Sequence, residues 1–161
     1  MLFIMRELVY RVVIVILSLS LLSSFLVICF IEHRCFKEET RYKICPKNTI
    51  GINNICYYFS EDITNWTASF KYCKNMNGRL ACIINDTFPK IYRYKGIFDY
   101  WVGLYRTNSQ SPWLNCDNKP YNNIIPIRGV EDYAYLNDNG ISTARIYADR
   151  RWICEVPMVD Y

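Results

Sequence analysis

Histidine is nearly absent from this chain of 161 residues: the single one, His33, follows an apolar run and precedes the cysteine-rich segment. A Ser-His or Cys-His nucleophile needs an imidazole base, and most zinc sites with an open position need imidazole ligands. Both are therefore excluded from the C-terminal part of the chain, which is read as non-enzymatic, with no cofactor and no metal. Lys and Arg outnumber Asp and Glu only 19 to 15 and do not cluster, so the net charge of +4 provides no basic stripe for nucleic acid. Alanine is scarce while isoleucine and asparagine abound, a bias that AT-rich coding DNA produces. No internal repeat is visible. No small-x-small step follows the apolar run, which argues against a cleaved signal peptide, whose apolar region is usually about 7–15 residues long.

What the chain does contain begins with twenty uncharged residues, Val12 to Ile31. At about 1.5 Å per residue they span about 30 Å of hydrocarbon. They predict a transmembrane signal-anchor over 12–31, with a cytoplasmic tail at 1–11 and a charged stalk at 32–44. Arg6 and Arg11 precede the run, and Arg34, Lys37, Arg41 and Lys43 follow it, so Lys/Arg asymmetry leaves orientation open. The far side carries the cysteines and glycosylation sequons, which place it outside the cell, a type II arrangement at the cell surface. The run has no Lys or Arg to pair with an acidic adaptor, which disfavours an activating receptor. Leu8-Val9-Tyr10-Arg11-Val12-Val13 fits a loose tyrosine signalling pattern, but its end enters the membrane, and Tyr10 reads as an interfacial anchor.

Eight cysteines in so short a chain indicate an oxidised framework. Cys29 reads as an inert apolar residue. Cys35, in a stalk with no core to pack into, is the candidate for an interchain disulfide, hence a homodimer; a free or intrachain thiol is the alternative. Beyond the stalk, residues 45–156 read as one α+β domain, with 157–161 as a C-terminal tail. Cys45 and Cys56 bracket the turn residues Gly51 and Asn53-Asn54, predicting a hairpin closed by a bond between them. A helix is expected from Thr64 or Asn65, with Trp66, Phe70 and Cys73 on its buried face and Gly78 ending it. A short strand at 79–84 and a second helix from Asp86 to about Tyr94, with Pro89 in its first turn, follow. Then come Tyr100-Trp101-Val102-Gly103-Leu104, a Pro/Asn-rich loop over 115–129, and strands at 133–136 and 151–154. Asn65-Trp66-Thr67 and Asn85-Asp86-Thr87 make Asn65 and Asn85 the candidate glycosylation sites.

Several of these segments together resemble the C-type lectin-like domain: Cys45 and Cys56 of the opening hairpin, Cys73 in the first helix, Trp101-Val102-Gly103-Leu104, and the closing Trp152-Ile153-Cys154-Glu155. The resemblance implies a two-helix α+β fold with short antiparallel strands and a long loop, and a bond from Cys73 to Cys154. Cys56-Tyr57-Tyr58-Phe59-Ser60-Glu61, Arg93-Tyr94-Lys95-Gly96, Ala134-Tyr135-Leu136-Asn137-Asp138 and Ser142-Thr143-Ala144-Arg145 are similar to the C-type-lectin-related, or lectin-like-transcript, ligands. Those are type II partners of the killer-cell lectin-like receptors of subfamily B on natural killer cells. With the AT-rich composition, this implies a viral copy of a host ligand, of the poxvirus kind, acting as an immune-evasion decoy for an inhibitory receptor.

The implied receptor contacts are Tyr135, Asn137, Asp138, Arg145, Tyr147, Arg150 and Arg151. Tyr133 stands where the family has a cysteine, so its second long-loop disulfide is missing, and Cys82 and Cys116 are extra, either bonded to each other or free. Calcium-dependent sugar binding is disfavoured, because Ile125-Pro126-Ile127 and Tyr147-Ala148-Asp149 replace the oxygen donors that lectins supply at about 2.3–2.6 Å. The alternatives are a structural lectin-like glycoprotein of a viral envelope and, less favoured, a carbohydrate-binding lectin.

Overall fold

A computed structural model describes residues 2–37, 42–122 and 125–160. The chain divides into two compact units, 1–41 and 42–161.

The first unit is helix α1, Leu2–Lys37. Within it Phe3–Glu32 contains an 18-residue window of mean hydropathy 2.9 and is long and apolar enough to cross a membrane. The helix runs through the segment expected as a tail and six residues into the expected stalk. No Gly or Pro interrupts residues 2–37, so nothing local stops a helix once it has nucleated. Its serines return their hydroxyls to the preceding turn, Ser18 to the Val15 carbonyl at 2.8 Å and Ser24 to the Ser20 carbonyl at 2.9 Å. Such back-bonding satisfies a hydroxyl inside hydrocarbon. The side chain of Cys35, and with it the expected interchain bond, lies outside the described residues.

The second unit begins with β1 (Lys43–Ile44), which pairs antiparallel with the last strand, β10 (Val159–Asp160). The folded unit therefore extends beyond 45–156 at both ends. β2 (Ile50–Ile52) and β3 (Ile55–Phe59) form the opening hairpin. Its two turn residues, Asn53 and Asn54, both have positive φ, 49° and 63°, which a two-residue hairpin turn requires and asparagine tolerates. β3 lies on β9 (Arg151–Val156), which also carries the two-residue β4 (Arg79–Leu80). The sheet continues from β9 to β5 (Tyr100–Tyr105), β7 (Tyr133–Asn137), β8 (Gly140–Ala144) and β6 (Ile127–Arg128). It is mixed: β5 runs parallel to β9, and β6 parallel to β8.

Helix α2 is Trp66–Asn75, and the Asn65 side-chain oxygen accepts from the Ala68 amide at 2.9 Å to cap it. Its fully buried residues are Ser69 and Cys73. Phe70, expected on the buried face, is 37% exposed; its ring stacks on Trp66 at 5.4 Å and carries the Lys74 ammonium. The inward stripe is thus rotated by one position, because Cys73 must face Cys154. Helix α3 is Phe88–Tyr94, with Pro89 in its first turn.

The core lies between the helices and the sheet, with Trp101, Val102, Leu104, Leu136, Ile141 and Ile153 at 0% exposure. Cys45 pairs with Cys56, and Cys73 with Cys154. Cys82 pairs with Cys116, Cα atoms 5.2 Å apart, fastening the start of the long loop to the segment after β4. Gly103 is where these meet: a Cβ there would lie 2.7 Å from the Leu80 carbonyl oxygen and 2.8 Å from the Cys116 Cβ. Beside this bridge the Glu155 carboxylate is buried. It accepts from the Cys82 amide at 2.9 Å, the Tyr57 hydroxyl at 3.2 Å and the Arg79 Nε at 2.9 Å.

Candidate functional site

Register places Tyr135 of β7 between Trp101 of β5 and Ser142 of β8, so the three side chains share one face of the sheet. The Tyr135 ring meets Trp101 edge-on at 5.9 Å. Arg150 closes over both: its guanidinium sits 3.8 Å from the Tyr135 ring centroid and 5.0 Å from that of Trp101. The Arg150 backbone is fixed by two bonds to Thr64, each 3.0 Å. Its Nε is buried without a hydrogen bond, and the Asp99 carboxylate stands 3.7 Å away. Burial pushes the Asp99 carboxyl above its usual value, against the pull of Arg150 and Lys95. Next to it, Arg151 places its guanidinium 3.5 Å from the ring of Phe98, which is 45% exposed.

Asn137 and Asp138 occupy the turn from β7 to β8, closed by Gly140 at φ 103°. The Asn137 amide donates to the Ser142 hydroxyl at 2.8 Å, and its oxygen accepts from the Asn139 amide at 2.8 Å. The Asp138 carboxylate pairs at 2.8 Å with Lys95, a lysine only 2% exposed, and the Asp138 carbonyl accepts from the Tyr92 hydroxyl. Lys95 also donates to the carbonyls of Gly96 and Phe98. The Asn137 side-chain oxygen and one Asp138 carboxylate oxygen are thus engaged by a backbone amide and an ammonium group. The Cys82, Cys116 and Glu155 cluster has spent its sulfurs on a disulfide.

Arg145 and Tyr147 form a separate pair. Arg145 donates to the Tyr147 hydroxyl at 2.7 Å and to Glu131 at 3.2 Å, and both side chains project into solvent. Their loop is held against α2 through the backbone, by the Trp66 amide on the Ile146 carbonyl at 3.1 Å.

The seven residues singled out from the sequence thus fall into neighbouring groups. Tyr135 and Arg150 stack together with the Asp99 carboxylate 3.7 Å from Arg150, while Asp138 pairs with Lys95. Arg151 lies on Phe98, and Arg145 with Tyr147 stands at the far end of the same connection. Sequence reasoning missed Lys95, Phe98 and Asp99. The available signal was Ile97-Phe98, an apolar pair stranded between Gly96, at φ 59°, and a strand that is already wholly apolar. Both are exposed, Ile97 at 80%.

No family profile matches the chain. The rat "C-type lectin domain family 2 member D11" is 53% identical over 114 residues, 70% of this chain and 55% of that protein. The chain thus spans just over half the length of this relative. The mouse "C-type lectin domain family 2 member D" is 42% identical over 146 residues, 90% of this chain and 70% of that protein. Among solved structures, the carbohydrate-recognition domain of the mouse scavenger receptor C-type lectin superposes with a TM-score of 0.64 at 20% identity, covering 71% of this chain and 98% of that one. The cow CD23 domain gives 0.63 at 22%, covering 73% of this chain and 99% of that one. These two show the C-type lectin fold, and the mouse relative, covered over 70% of its length at 42% identity, shows that the chain belongs to C-type lectin domain family 2.

Proposed function

We propose that the chain is a type II membrane glycoprotein whose domain is a protein ligand for a killer-cell lectin-like receptor of subfamily B. Recognition is independent of calcium, and engagement of an inhibitory receptor restrains a natural killer cell. The observation that carries this reading is the 53% identity to a family 2 member D protein, spread over 114 residues. The AT-rich composition supports a viral copy of such a ligand, displayed by an infected cell as a decoy. Tyr135, Arg150, Arg151 and Phe98 supply the aromatic and guanidinium groups that dominate protein interfaces, offering broad apolar area with donors for receptor carboxylates. The α1 helix serves as the membrane anchor.

Surface plasmon resonance of the glycosylated unit, residues 42–161, over a panel of subfamily B receptors tests this. Saturable binding that persists in EDTA is the expected result. In the same assay Tyr135→Ala weakens binding by at least about 2 kcal/mol, as for an interface anchor. A folded domain that binds no receptor of the panel overturns the reading.

A further inference from the structure

Asn65 occupies an unusual position for a sequon asparagine. Its Oδ1 is held by the Ala68 amide at 2.9 Å, while its Nδ2 makes no hydrogen bond among the described residues. The side chain is therefore pinned through its oxygen and presents its nitrogen outward. Thr67, the third residue of the sequon, is exposed. Beside them runs a shallow groove of about 320 Å³ lined by Asn65, Thr67, Ala68, Lys71, Ile146 and Tyr147. One wall is the first turn of α2 and the other is the loop that carries the candidate contacts Arg145 and Tyr147. The two walls cannot drift apart, because Trp66, the middle residue of the sequon, donates its amide to the Ile146 carbonyl.

We infer that Asn65 carries an N-glycan whose first sugar lies in this groove against Tyr147, so that occupancy of Asn65 covers one end of the receptor-facing surface. The Nδ2 nitrogen displaces polyprenyl pyrophosphate from the anomeric carbon of a polyprenyl-pyrophosphoryl oligosaccharide. The N–C1 bond forms, the C1–O bond breaks with its electron pair leaving on the pyrophosphate, and one amide proton is lost. The attached sugar starts at the groove floor. Its apolar face matches the Tyr147 ring, which is 66% exposed and held by Arg145 through its hydroxyl, and its hydroxyls meet the Lys71 ammonium. Tyr135, Arg150 and Arg151 do not line the groove and are the same in either glycoform. Occupancy thus selects between a receptor footprint that includes Arg145 and Tyr147 and one that omits them.

The inference rests on the ligand reading for its consequence, but its geometry can be read without a receptor. The full chain is expressed in mammalian cells, occupancy of Asn65 is measured by peptide mapping, and the protein is nitrated with tetranitromethane. Thr67→Ala abolishes the sequon while leaving Asn65 to cap α2, and Asn65→Asp provides a second form that keeps the capping oxygen. Tyr147 is expected to nitrate severalfold more slowly in the glycosylated protein than in either variant, and trimming to the first sugar preserves the protection. Tyr42, also exposed at 65%, serves as the internal reference. Equal Tyr147 rates, or an unoccupied Asn65, overturn the inference. Protection of Tyr147 in a protein that binds no subfamily B receptor in any glycoform supports the glycan packing and refutes the ligand reading alone.

Discussion

Arg150 and Lys95 show how a residue's chemistry is decided by what lies over or under it. Arg150 has the composition of a receptor anchor, yet much of its guanidinium face is already spent on Tyr135 and Trp101. Lys95 is buried and balanced by Asp138, whose own side chain is 71% exposed. Asp138→Ala leaves that ammonium with the Gly96 and Phe98 carbonyls and the face of the Tyr92 ring, and stability is expected to fall by about 1–2 kcal/mol, since solvent around Asp138 moderates the loss. A thermal melt of the two proteins measures it. Alkaline stability has a comparable local origin. The Tyr58 and Tyr72 hydroxyls lie 3.3 Å apart, and their hydrogen bond, with burial, pushes the Tyr58 pKa up to about 12. Burial and the Glu155 charge push Tyr57 further still. A group with a raised folded pKa stabilises fully below its unfolded pKa, about 10 for tyrosine, and loses that contribution as pH rises through the folded value. The melting temperature should therefore fall between pH 10 and 12, and Tyr58→Phe should flatten that fall; an unchanged slope would assign it to other groups.

Among the elements, the long loop over 106–126 depends most on a single connection. The Cys82–Cys116 bond closes a separation of 34 residues. In the chain-entropy picture such a closure contributes about 3–4 kcal/mol. The double variant Cys82→Ser with Cys116→Ser should still fold around the two remaining bridges, with a lower melting temperature. Limited proteolysis should then cut within residues 106–122 before any other part of the domain. The hairpin at Asn53-Asn54, the cap at Asn65 and the Pro89 helix were legible because each rests on chemistry within a few residues. β8 was not, because Gly140-Ile-Ser-Thr-Ala144 has one large apolar residue and becomes a strand only through its pairing with β7. The same holds for the site: Tyr135 and Arg150 could be named from their segments, but the Arg150–Trp101–Asp99 contacts join residues about fifty apart in sequence, which no local pattern encodes. Phe70 misled because a three-to-four spacing fixes a helix stripe without saying which edge of the stripe a disulfide will pull inward.

At the scale of the whole molecule, the described residues form one long apolar helix and one disulfide-bonded domain, to which the proposed function assigns attachment and recognition. Helix α1 runs on to Lys37 and so carries Cys35 on regular backbone beyond the apolar segment. If Cys35 bridges two copies, the full chain from non-reducing cell lysates migrates at twice its mass. Cys35→Ser then returns it to 19.2 kDa plus glycan while leaving the domain's melting temperature unchanged. A monomer in the unreduced wild type removes the covalent dimer without touching the fold. If α1 anchors the chain and a receptor holds the domain, as proposed, the pairing of β1 with β10 has a mechanical consequence. Tension entering at residue 42 first loads two strand pairs, Lys43 with Asp160 and Ile44 with Val159, which can peel open one after the other. The next residue is Cys45, whose sulfur passes the load to Cys56 on β3, inside the sheet and bonded along its length to β9. The strap can therefore yield like a fuse, slackening the tether by a few residues while the gripped face keeps its shape.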